Sequence, residues 1–198
     1  MNAKTSLSVV SDYVSIDTET TGLDTSWCEL IEVAAVRYSN GVEIERFSSL
    51  VKPKELPIDD FISDLTGITN EELESAPMPD EVIPSLASFI GESPIVGHNV
   101  CFDAKFLEKY FGNMTSFSFE NTLIDTLRIS RHVYKDMKKR KLGMLVKRCE
   151  EEGETFSGAI DAHRATADAI ATAFCYETMK GKLVELYGQD PDDGYKKY

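Results

Sequence analysis

The chain of 198 residues has no apolar run near the length of a membrane span; its longest, LIEVAAV at 30–36, suits a strand. Its first residues, MNAKTSLSVVSDYVSID, lack a basic region followed by a signal-length apolar core, so the expected location is cytoplasmic, without a membrane partner. The four cysteines, Cys28, Cys101, Cys149 and Cys175, form no C-x-x-C pair and are scattered through segments that read as helix or strand. That argues for reduced core thiols and against a structural zinc site. There is no internal repeat, low-complexity tract or linker to divide the chain. Positive charge is also short: 21 Lys and Arg stand against 34 Asp and Glu, a net charge of −13. Binders of phosphate polymers usually carry a basic surface.

The composition that remains, 42% hydrophobic and 28% charged, is that of a folded globular domain. The spacing predicts strands at about 12–17, 30–38 and 42–51, with Ser39–Asn40–Gly41 as a hairpin turn. Thr69 three residues before Glu72 reads as a capping box, and 79–91 has helical spacing with a glycine stop. A short strand at 94–98 leads into a helix whose Phe102, Phe106, Leu107 and Tyr110 face a core. LIDTLRISRHVY and KLGMLVKRCEE read as two more helices, and 164–179 as the last strong one. Strands first, then strands alternating with helices, predict a layered α/β or α+β domain at 12–187, between an N-terminal tail (1–11) and a C-terminal tail (188–198).

The stretch SIDTETTG raises the chemical question. Side chains alternate along a strand, so Asp17 and Glu19 share a face where the strand runs into a turn. Their repulsion needs an offset: a basic neighbour, a shared proton or a divalent cation. Two further segments bring polar groups to element ends. GHNVCFD carries His98, Asn99 and Asp103, and HRATADA carries His163 five residues before Asp168. Five helical residues turn about 140°, so His163 and Asp168 meet in one site only if His163 belongs to the loop ahead of the helix. Each residue alone has a plain reading: a solvated strand-end pair, a first-turn helix carboxylate, a surface histidine. Together, four acids and one histidine in three separated motifs are the parts of a two-metal hydrolytic site.

With these motifs the chain resembles the DEDD superfamily of 3′–5′ exonucleases in its His-containing branch (DEDDh), and within it the DnaQ-like group of DNA polymerase III epsilon-type proofreading subunits. The matching stretches are IDTETTGL, VGHNVCFDAKFL and HRATADAIAT, supported by LIEVAAV, TGIT and IDTLRISR. The resemblance implies a ribonuclease-H-like α/β fold, a mixed central β-sheet flanked by α-helices. It implies that Asp17, Glu19, Asp103 and Asp168 hold two divalent metal ions, Mg²⁺ or Mn²⁺, and that His163 is the general base for the attacking water. Hydrolysis would release nucleoside 5′-monophosphates from single-stranded or frayed 3′ ends. Thr20, Gly22 and Leu23 would line the pocket of the terminal nucleotide with His98 and Asn99, and Ile68 would wedge against its base. Asp125 recurs in the family too, but reads as a helix-start residue and not a ligand. DNA is the expected polymer, in replication or repair and in company with a DNA polymerase. RNA, as in the oligoribonuclease and RNase T branches, is the alternative, although those oligoribonucleases carry DLEMTG where this chain has DTETTG. A silent nucleic-acid-binding module is the alternative of another class. One local pattern runs against the overall charge: nine of the 21 basic residues fall between Arg128 and Arg148. A solvated helix face and a nucleic-acid contact both fit it.

Overall fold

The structure, a computed structural model, describes residues 5–115, 119–158 and 164–188. Within these residues one six-stranded sheet runs in the order β1-β6-β5-β2-β3-β4. The strands are β1 (Thr5–Ser6), β2 (Asp12–Thr20), β3 (Leu30–Ser39), β4 (Val42–Leu50), β5 (Ile95–Gly97) and β6 (Leu123–Asp125). β1, β6, β5 and β2 run parallel, and β3 is antiparallel to both β2 and β4. The hairpin between β3 and β4 closes on Asn40 and Gly41, both at positive φ (50° and 77°). That pair gives the primed turn whose twist matches the flanking strands.

Helices cover both faces. Tyr13 on β2, Ala34 and Val36 on β3, Val96 on β5 and Ile124 on β6 pack under α5 (Thr126–Val133), α6 (Leu142–Glu150) and α7 (Ala165–Tyr187). Val14, Ile16, Val33, Ala35 and Ile95, from alternate positions, pack under α3 (Pro79–Ile90) and α4 (Cys101–Met114). The period-two pattern of β2 thus feeds two cores, and its polar odd positions face α7. There Ser15, fully buried, donates its hydroxyl to the carbonyl of Ala169 at 2.7 Å. Ala165, Ala169 and Ala173 lie in the same packed cluster, and their small side chains let α7 approach the sheet closely. A satellite cluster of Ile31, Ile58, Ile68 and Leu73 sits with α1 (Asp60–Thr66) and α2 (Asn70–Glu74). The capping box forms as read. The Thr69 N–H donates to the Glu72 carboxylate at 2.8 Å, and the Glu72 N–H to Thr69 Oγ1 at 3.2 Å.

Three elements differ from the sequence expectation. Leu123–Asp125 is a strand and not the opening of a helix, because it finds parallel partners in β5 and β1. Residues 5–7 are not frayed: Thr5 and Ser6 pair with Leu123 and Ile124, and Leu7 is wholly buried. α7 continues two turns beyond 179, to Tyr187, carried by buried Met179 and Leu183. No described helix is long and apolar enough to cross a membrane.

Candidate active site

β2 runs three residues further than its apolar pattern suggests, so Asp17 and Glu19 both lie within the strand and face α7. α7 begins at Ala165 and brings Asp168 in its first turn. Carboxylate oxygens of Asp17, Glu19 and Asp168 all lie within 4.8 Å of one another, and all three residues are half-buried. Asp103 comes from the other face. It sits in the first turn of α4, is 4% exposed, and accepts a hydrogen bond of 2.8 Å from the Thr18 hydroxyl. Thr18 points to the face opposite Asp17, so adjacent β2 residues hold carboxylates on both sides of the strand end.

These groups are crowded. Burial, then the charges of Asp103, Asp168 and Glu19, raises the Asp17 carboxyl well above the ordinary carboxylate range. Burial followed by Asp168 and Glu32 pushes Glu19 up to about 8, with Arg164 pulling the other way. Asp103 is pushed up to about 7 by burial, against the lowering effect of its Thr18 hydrogen bond. Such crowding of carboxylates is relieved by a proton or by a divalent cation.

Glu32, which the sequence reading passed over as part of an apolar strand, organises the far side. It lies directly opposite Glu19 in the β2–β3 register and is 3% exposed. Its carboxylate accepts from Arg164 Nη2 at 2.9 Å, from Arg164 Nε at 3.2 Å and from the Ala165 N–H at 2.9 Å. This bidentate pair clamps the first residues of α7 to β3. The one signal in the sequence was a charge inside LIEVAAV, where a buried carboxylate requires a partner. Thr18 was missed for a similar reason, since its partner lies 85 residues away.

The other expected site residues divide. Leu23 is 85% exposed in the turn after β2, open to a ligand. Thr20 donates to the Gly22 carbonyl at 2.7 Å, and a Cβ on Gly22 would stand 2.8 Å from Cys28 Sγ, which would have to turn aside to admit a side chain. Ile68 is corrected: it is completely buried in the satellite core and cannot wedge against a base as packed. The exposed apolar side chains of that region are Phe61 and Leu65, one helical turn apart on α1. His98 has both ring nitrogens engaged, Nδ1 with Thr126 Oγ1 at 3.0 Å and Nε2 with the Arg140 carbonyl at 2.8 Å, and burial holds its pKa below ordinary. Asn99 sits at φ 64° and donates its N–H to Asp125, which also accepts from the Leu127 N–H as the N-cap of α5. Asp125 is therefore the helix-start residue it was read to be. His163 lies outside the described residues. A groove of about 800 Å³ between β4, α7 and residues 155–158 touches Glu32 and Arg164, but none of the clustered carboxylates, and so flanks the site.

Fold and cluster together define a ribonuclease-H-like α/β domain with an acidic centre at the carboxyl end of its middle strand. The Exonuclease family model matches residues 14–176, and the chain belongs to that family. It is 37% identical over 177 residues to the DNA polymerase III subunit epsilon of Aquifex aeolicus, covering 89% of this chain and 84% of that one. It is likewise 37% identical over 179 residues to the PolC-type DNA polymerase III of Caldanaerobacter subterraneus subsp. tengcongensis, covering 90% of this chain but 12% of that protein. Among solved structures, exonuclease X in complex with 5′-overhanging duplex DNA has a TM-score of 0.67 at 21% identity, over 92% of this chain and 98% of that one. An exonuclease I structure has a TM-score of 0.70 at 22% identity, over 90% and 43%. These two likenesses are of fold.

Proposed function

We propose that the chain is a metal-dependent 3′–5′ exonuclease that releases nucleoside 5′-monophosphates from single-stranded or frayed 3′ ends of DNA. The observation that carries this reading is the convergence of Asp17, Glu19 and Asp168 oxygens within 4.8 Å. An all-oxygen donor set suits hard cations, so Mg²⁺ or Mn²⁺ fits the residues present. Asp17, Glu19 and Asp168, with Asp103 beside them, would be the residues that hold the two ions. When bound, the ions would supply Lewis acidity for water attack and charge for the departing 3′ oxygen. The protein's own groups do the rest. His163, in the segment ahead of α7, would take the proton of the attacking water. The Glu32–Arg164 clamp would keep that segment and Asp168 in place. Leu23, with Thr20 and Gly22, would receive the terminal nucleotide. The likeness to epsilon and PolC-type proteins supports DNA as polymer and a DNA polymerase as partner, in the cytoplasm.

The test is direct. Purified protein with Mn²⁺ is offered end-labelled single-stranded DNA, RNA and mismatched duplex, and initial rates are compared. Stepwise loss from the 3′ end of DNA is the expected result. Faster cleavage of RNA would reassign the polymer, and absence of cleavage on all three would refute the reading.

A further inference from the structure

The basic run divides in the structure into side chains engaged with the protein and side chains that point to solvent. The Arg128 guanidinium donates to the Thr5 carbonyl and hydroxyl. Arg148 lies 4.7 Å over the Tyr134 ring and 3.5 Å from both Glu151 and Glu152. Arg140 is half-buried and donates Nη2 to the Tyr134 carbonyl at 2.8 Å. Arg131 on α5 and Lys147 on α6 are exposed singly, and the densest remaining charge is the loop 135–141, KDMKKRK, between α5 and α6. Its Lys135, Lys138, Lys139 and Lys141 are exposed, and none is ion-paired among the described residues. Asp136 is the only carboxylate in it.

The loop is also fixed in place: the Arg140 guanidinium and the Met137 N–H both donate to the Tyr134 carbonyl, Met137 packs against the core, and His98 ties the loop to the end of β5. The His98 Nε2 holds the Arg140 carbonyl at 2.8 Å, while Nδ1 is held by Thr126. His98 follows the last residue of β5, whose parallel register with β2 pairs Val14 with Ile95 and Ser15 with Val96. Continued by two residues, that register sets His98 level with Asp17, with both side chains on the α7 face. Adjacent strands lie about 4.8 Å apart, so the tethered loop begins on the order of 10 Å from the carboxylates. That is one or two nucleotides along an extended strand.

We propose that loop 135–141 is the surface that binds the phosphodiester backbone behind the scissile end. His98 is a positioning residue for it, and not a ligand of the terminal nucleotide. The proposal rests on the exonuclease reading, and it explains how a chain of net charge −13 retains a polyanion: the attraction is confined to one loop held beside the acidic centre.

Three proteins test it: the parent, Lys138→Ser/Lys139→Ser/Lys141→Ser, and the same positions changed to Arg. A single-stranded DNA 20-mer and the p-nitrophenyl ester of thymidine 5′-monophosphate are the substrates, with the ester reporting the competence of the active site alone. In the Ser variant, kcat/KM on the 20-mer relative to the ester should fall at least tenfold. The slope of log affinity against log salt should flatten by about 0.7 for each lost contact, about 2 in all. The Arg variant should keep the parent slope. Added to His98→Ala, the Ser substitutions should have a smaller effect than in the parent, because the tether nearest the site is already lost. Parent-like ratio and slope in the Ser variant would overturn the proposal. A parent inactive on both substrates would instead overturn the exonuclease reading.

Discussion

With its cations chelated, the protein should lose stability as the pH rises from 5.5 to 8.5, through Glu19, Asp17 and Asp103 together, and Glu19→Gln should remove the Glu19 share of that loss. The Glu19 carboxyl stands at about 8 in the folded chain, first through burial and then through Asp168 and Glu32. In the unfolded chain it returns to about 4.3. Between those values the folded state holds a proton that the unfolded state has released, so stability falls as pH rises through the window. The whole displacement corresponds to about 5 kcal/mol, of which about 3 falls between pH 5.5 and 8.5. Glu19 is only half-buried, and solvent screening reduces the expected loss to about 1.5 kcal/mol. For a chain of this size that is a fall in Tm of about 3–6 °C. His98, whose burial lowers its pKa, acts in the opposite direction but is common to both proteins and cancels in the comparison. Thermal melts in EDTA at the two pH values, for parent and variant, give the measurement. Mn²⁺ should abolish the parent's dependence by occupying the cluster. Equal pH dependence in parent and Glu19→Gln would show that the crowding does not act on Glu19.

Asp17→Ala should lose both DNA cleavage and tight Mn²⁺ binding; unchanged affinity by calorimetry would place the metal elsewhere. His163→Ala should lower turnover by about 10²–10⁴ while metal and DNA still bind, and lost Mn²⁺ affinity would make His163 a ligand and not the base. EDTA should abolish cleavage and Mg²⁺ or Mn²⁺ restore it, so activity persisting in a metal-free preparation contradicts the mechanism. Glu32→Ala strips the acceptors from Arg164 and the Ala165 N–H and should cost about 1–3 kcal/mol, with a larger proportional loss of turnover than of DNA affinity. An unaltered melt and rate would mean the clamp is dispensable.

What the sequence made legible was periodic or local. The alternation in β2, the Asn–Gly hairpin, the capping box and the stop at Gly91 each depend on neighbours a few residues apart, and each is present. The carboxylates were readable because three motifs carried them together, and the structure gathers Asp17, Glu19 and Asp168 with Asp103 behind Thr18. What failed depends on distant partners. Leu123–Asp125 is too short to declare itself a strand before β5 and β1 flank it. Ile68 and Leu65 are both apolar and three residues apart, and only packing against Ile31 and Leu73 decides which is buried. His98 and Asn99 sit within a site motif, yet their hydrogen bonds run to 125, 126 and 140, where they shape the chain beside the site.

The seam between β2 and α7 has a consequence for biosynthesis. Ser15 meets Ala169 across 154 residues, and Glu32 meets Ala165 across 133, so the acidic centre is assembled from the first and last parts of the domain. Translation delivers Asp17 and Glu19 early, but without α7 they are merely two repelling carboxylates on a strand, unable to share a cation with Asp168. On the exonuclease reading, a nascent chain still on the ribosome would therefore have no complete metal centre until the final helix docks. Assembly of the acidic centre is thus coupled to completion of the fold.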